Sequence, residues 1–253
     1  MLTTQDGVHL QGLLDMPDTN SPCPLAILLH GYSSRKESHT NEMLVPRLLD
    51  QGIACLRFDF RGHGQSAGDI GEMTITSGLS DLSSAIAWTY SKRSPTWTGV
   101  ALVGSSYGGL ISALYLTSHH DISCAVLKAP AFSWSQAKRF ALEKHEIEKW
   151  RETGIWVAPS PLGDIDLPYD FYQDLMMHDV LRDAHKIDCP LFISHGTQDE
   201  AIPYQDSVIL ADLLGDKATL QILPGADHRF TDPKDASTFT DEAVLFLTQH
   251  LVS

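Results

Sequence analysis

The chain has 253 residues, 43% of them apolar, a length that one α/β domain fills around a single core. Acidic residues outnumber basic ones by 32 to 18, for a formal charge of −14. A surface of that sign repels phosphate backbones and anionic bilayers, so neither nucleic acid nor a membrane is expected as a partner.

In chain order, segments 2–4 and 8–14 alternate around Asp6-Gly7 and predict a β-hairpin, with the glycine supplying the positive φ of the turn. Short apolar runs follow at 25–29, 53–58, 100–103, 125–127, 191–194 and 220–223, and each predicts a buried strand. Helical patterns at 41–50, 75–91, 107–118, 204–214 and 236–251 separate most of them. Such βαβα alternation implies a mostly parallel sheet with right-handed crossovers and helices on both faces. The interval between 127 and 191, about sixty residues, exceeds what a crossover needs and predicts an insertion at about 130–186 within a single domain spanning 1–253. It carries Phe132, Trp134, Phe140, Trp150, Trp156, Tyr169, Phe171 and Tyr172, a charged helical stretch at 136–152, and a loop around Pro159, Pro161 and Gly163. A helical lid over the carboxyl edge of the sheet is expected, because open α/β sheets place their ligands there. Cys23, Cys55, Cys124 and Cys189 adjoin apolar runs without CxxC spacing, as reduced core thiols do. The first residues lack a basic stretch followed by an apolar one, and the expected compartment is the cytoplasm. Oligomeric state stays open, a homodimer included.

Gly104-Ser105-Ser106-Tyr107-Gly108 follows an apolar strand and opens a helix, the context of a Gly-x-Ser-x-Gly nucleophile elbow with Ser106 at its tip. A serine hydroxyl needs a base to take its proton, and the base needs a carboxylate to fix its tautomer. Asp199 follows the 191–194 strand and His228 follows the 220–223 strand, both on the sheet edge where Ser106 emerges. Glu200, Asp206 and Asp227 are the rival acids, and Asp199 is favoured by loop position. The oxyanion formed on attack needs backbone N–H donors, expected from Tyr107 after the nucleophile and from Tyr32 after the 25–29 strand. His30 reads as a loop brace, and Asp59, Arg61 and His63 read as scaffold in a tight polar loop. No HExxH or comparable ligand spacing points to a metal, and this chemistry calls for no cofactor.

The segments HGYSSRKES, RFDFRGHGQS, LVGSSYGG, HGTQDEAIP and PGADHRF together resemble the bacterial cinnamoyl (feruloyl) esterase-like, serine aminopeptidase-like group of the α/β-hydrolase superfamily. That resemblance implies the α/β-hydrolase fold, a triad of Ser106, Asp199 and His228, and oxyanion donors from Tyr32 and Tyr107. It implies an acyl pocket shaped by the insertion, with Phe171-Tyr172 at the family's corresponding segment. Tyr172 is therefore the expected substrate contact, with Trp134, close to the strand end, as the second. The expected substrate is an ester of a small to medium acyl group, aromatic ones included, cleaved through an acyl-enzyme. Thioester, amide and lactone cleavage remain alternatives on the same triad, and a binding protein on this scaffold is the non-catalytic one.

Overall fold

The computed structural model describes residues 2–18, 22–91, 95–132, 142–158 and 163–252. Seven strands form the central sheet: β3 (Gly12–Asp15), β4 (Cys23–Leu29), β5 (Ala54–Phe58), β6 (Trp97–Ser105), β7 (Cys124–Lys128), β10 (Leu191–Gly196) and β11 (Ala218–Leu223). Their order is β11-β10-β7-β6-β4-β5-β3, parallel throughout except for β3, which runs antiparallel to β5. The expected N-terminal hairpin divides. β1 (Leu2–Thr3) pairs only with β2 (His9–Leu10), and the residues beyond switch to β5. The switch falls at Gln11, whose amide bonds Ser66 Oγ at 2.9 Å and whose carbonyl takes the amide of Asp59 at 2.9 Å.

Buried on both faces, the parallel strands read as continuous apolar runs, and their pleat sends alternate residues to opposite cores. Leu25, Ile27 and Leu29 of β4, with Val100 and Leu102 of β6, face α2 (Ile75–Thr89) and α3 (Tyr107–Leu116). Ala26, Leu28, Ala101 and Val103 face α1 (His39–Asp50) and α8 (Pro233–Leu251). Side-chain caps open three of these helices: Ser38 on α1, Thr74 on α2 and Asp232 on α8 each accept a first-turn amide, satisfying donors that lack an intrahelical partner. α7 (Gln205–Leu214) joins β10 to β11.

The insertion is not purely helical. After α4 (Lys144–Thr153) come β8 (Ile155–Ala158) and β9 (Ile165–Pro168), an antiparallel pair, then α5 (Tyr169–Leu175) and α6 (Val180–Asp183). The expected helix from 136 is described only from Lys144, since 133–141 lie outside the described residues. Trp150 is the centre of a small aromatic core, with ring centroids 5.2 Å from Trp156, 5.9 Å from Tyr169 and 5.7 Å from Tyr172. Buried Asp174 of α5 ties the insertion to the main domain, accepting the Ile75 and Thr76 amides at 2.7 and 3.1 Å from the first turn of α2. A carboxylate at a helix N-terminus is stabilised both by those free amides and by the helix dipole.

Candidate active site

β6 runs out at Ser105, and Ser106 reverses the chain at φ 52° before α3 opens at Tyr107. Positive φ is costly for a side chain with a Cβ and persists only where the surroundings impose it. Here the surroundings are the approach of α3 to the sheet. A Cβ on Gly104 would stand 2.3 Å from the Gly108 carbonyl oxygen, and one on Gly108 would stand 2.4 Å from that of Leu29. The Ser106 amide donates to the Lys128 carbonyl at 2.9 Å, and its own carbonyl accepts from Leu110 and Ala131 at 3.0 and 3.1 Å. Ser106 is thus pinned by the end of β7 as well as by its own helix.

The three residues expected from separate loops meet at this turn. His228 Nε2 lies 3.0 Å from Ser106 Oγ, and His228 Nδ1 lies 2.6 Å from Asp199 Oδ2. The Asp199 side chain is fully buried. Burial alone would push its carboxyl up, but hydrogen bonds from His195 and His228, the charge of His228 and the Ile202 amide hold it well below the usual carboxylate range. Its Oδ1 accepts the amides of Ala201 and Ile202, both at 2.8 Å. A carboxylate so placed orients the imidazole and favours its cation. Among the rival acids, Asp227 turns back on its own loop, accepting the amides of Arg229 and Thr231 at 3.0 and 2.9 Å. Glu200 is exposed at the mouth of the cavity.

The loop after β4 lies against the serine. A Cβ on Gly31 would meet Ser106 Cβ at 3.3 Å and Oγ at 3.9 Å, which places the Gly31 backbone beside the serine hydroxyl. Tyr107, at the first turn of α3, is buried and donates its hydroxyl to the Thr74 carbonyl at 2.7 Å. Two buried histidines brace the Gly31 loop. His30 Nε2 accepts the Phe60 amide at 3.0 Å, and His63 Nε2 accepts the Ser33 amide at 3.1 Å. Burial lowers the basicity of both, His30 to about 3, and each ring must stay neutral to keep its accepting nitrogen. Asp59 accepts the Lys36 ammonium and amide, both at 2.7 Å. Arg61 reaches Asp81 at 2.7 Å and Asp6 at 2.9 Å, so the polar loop after β5 is indeed held by charge-assisted bonds.

Ser106 opens onto a cavity of about 760 Å³ bordered by Tyr32, Ser33, Ser34, Ser38, His39 and Thr40 on one side and by Gln198, Glu200, Ile202, His228 and Arg229 on the other. None of the described residues of the insertion lines it. Tyr172 instead stacks on Tyr169 at 5.7 Å inside the insertion's aromatic core, and Trp134 lies outside the described residues. Two residues with no role expected from sequence border the cluster. His195 shares Asp199 with His228. Lys128, buried at the end of β7, lies 3.4 and 3.1 Å from the carbonyls of His228 and Arg229 and 4.2 Å from the ring centre of Phe230. Burial pushes its ammonium down to about 8, against the pull of Asp227 and Asp199. Among the described residues no group of His, Cys, Asp and Glu could hold a metal ion, and no helix is long and apolar enough to cross a membrane.

Comparison with known proteins agrees with this architecture. Human palmitoyl-protein thioesterase ABHD10, mitochondrial, is 26% identical over 217 residues, covering 84% of this chain and 69% of the relative. An uncharacterised protein, YfhR of Salmonella typhi, is 23% identical over 227 residues, covering 89% of this chain and 72% of its own. Among solved structures, Est1E of Butyrivibrio proteoclasticus with ferulic acid bound superposes with a TM-score of 0.87 at 24% identity, covering all of both chains. Mouse alpha/beta hydrolase domain-containing protein 10 gives a TM-score of 0.82 at 22% identity, over 98% of this chain and 97% of its own. At such identities the structures establish the fold, which is that of the α/β-hydrolases. The family model described as serine aminopeptidase, S33 matches residues 20–160, from β4 through the elbow and into the insertion, and the chain therefore belongs to this family of hydrolases.

Proposed function

We propose that the protein is a serine carboxylesterase that cleaves small to medium acyl esters through an acyl-enzyme on Ser106. The observation that carries this reading is the continuous contact from Ser106 Oγ through His228 to Asp199, at 3.0 and 2.6 Å. In this mechanism His228 Nε2 takes the Ser106 proton as Oγ attacks the ester carbonyl, and Asp199 stabilises the imidazolium. The backbone amides of Tyr32 and Tyr107 hold the oxyanion, the latter at the positive end of α3. Collapse breaks the bond to the alcohol, which leaves with the proton from His228 Nε2. Water then repeats the sequence on the acyl-enzyme and releases the acid.

A thioester is the second reading, supported by the match to ABHD10, a relative named as a palmitoyl-protein thioesterase. Thiolate is the better leaving group and needs less protonation by His228, so the same site serves both.

A fluorophosphonate probe should label the protein once, and Ser106→Ala should abolish labelling with the melting temperature retained. Labelling that persists in Ser106→Ala overturns the assignment. Turnover of p-nitrophenyl esters of increasing chain length, methyl ferulate, an acyl thioester and an aminoacyl amide then separates the substrate classes.

A further inference from the structure

Asp199 Oδ2 does not serve His228 alone. His195, four residues upstream on β10, is fully buried, and its Nε2 stands 3.0 Å from the same oxygen. Its other nitrogen, Nδ1, stands 2.8 Å from Ser207 Oγ on α7, and Ser207 is fully buried too. An ionised carboxylate only accepts, so His195 Nε2 donates to Asp199 Oδ2, and in the neutral ring Nδ1 is then the acceptor of the Ser207 hydroxyl. The carboxylate is thereby saturated, with two amides on Oδ1 and two imidazoles on Oδ2.

We infer that His195, fixed by Ser207, is a positioning residue for the relay: its N–H on Asp199 Oδ2 sets both the orientation of the carboxylate and the charge it presents to His228. The inference rests on the proposed roles of Ser106, His228 and Asp199. A lone pair already engaged by His195 offers less negative charge to the His228 ring. Without that donor, Oδ2 binds the imidazolium more strongly, and His228 stays protonated to higher pH. The other titratable and charged groups around the cluster are His39 at the start of α1, Lys128 at the end of β7, Glu200 after β10, Asp206 on α7, and Asp227 and Arg229 flanking His228. All of them are untouched by substitutions at 195 and 207, so their fields cancel in the comparison.

The test is the pH dependence of kcat/KM for p-nitrophenyl acetate in the parent, His195→Leu, His195→Gln and Ser207→Ala. Glutamine can return an N–H near the position of Nε2, and leucine cannot. We expect His195→Leu to lower kcat about tenfold with little change in KM, and to move the acid limb up by about half a pH unit. His195→Gln should recover both in part, and Ser207→Ala should move them the same way by less. Equal kcat losses in the Leu and Gln variants with an unmoved acid limb would show that His195 only fills space. If His195→Leu does not fold, Ser207→Ala decides, because it removes a single oxygen; an unchanged profile there overturns the inference. Fluorophosphonate labelling of the parent separates the two levels. Labelling at Ser106 with insensitive profiles sinks only the role of His195, whereas absent labelling sinks the relay as well.

Discussion

Lys128 ends β7 with its ammonium buried among the carbonyls of His228 and Arg229 and the face of Phe230. Its folded value, about 8, lies below the value of 10.5 expected of a free lysine. Between those two values the unfolded chain binds a proton that the folded chain does not, so stability contributed by this residue rises with pH across the window. Below about pH 8 the buried cation is a full penalty. Lys128→Met should therefore stabilise the protein at pH 7, and urea melts should show that advantage shrinking by up to about 3 kcal/mol by pH 10.5. A pH-independent difference between variant and parent would mean that the ammonium stays charged throughout. Residues of this kind mark the limit of sequence reading. That Ser106, Asp199 and His228 meet was legible because each follows a strand, in the chain order that the proposed chemistry requires. His195 and Lys128 sit within or at the end of apolar strands, where a single polar residue has no spacing signature until its tertiary partners are known.

The elements of the core were legible because a sheet covered on both faces imprints continuous apolar runs, and glycines at 104 and 108 mark where helix and strand collide. Less legible were elements whose partners are local and short. β8 and β9 are four residues each, and the Pro/Gly stretch between them reads simply as loop. Residues 8–14 read as one strand, yet hydrogen bonding changes partner in its middle. The insertion's aromatics posed the same difficulty, since composition cannot tell a binding wall from a small core. Tyr172 packs on Trp150 and Tyr169, so Tyr172→Ala should lower the melting temperature and penalise an acetyl ester and a bulky aromatic ester equally. A loss greater for the bulky ester by roughly 1 to 3 kcal/mol would return Tyr172 to the acyl pocket.

At the scale of the molecule, the four cysteines are all buried and unpaired. Burial pushes the thiols of Cys55 and Cys124 up to about 12 and that of Cys189 to about 11, and raises Cys23 as well. Because the thiolate is the reacting form, native protein at pH 8 should react with Ellman's reagent only as fast as it opens. Denaturation in guanidinium should release all four at once. Rapid titration of a thiol in the native state would show that some part of the core opens freely. A last consequence follows from the backbone around the site. Among the described residues, four that are not glycine have positive φ: Ser33, Ser106, Ala129 and Phe230. One is the serine itself, Ser33 lies in the loop beside it, Phe230 follows the histidine and Ala129 follows the strand that carries Lys128, so conformational strain is concentrated where the chemistry is proposed to occur. Glycine at these points would relax the chain and free the loops together. Resistance to heat and fitness for turnover are therefore opposed in the same few residues, and selection for one can be expected to act through the other.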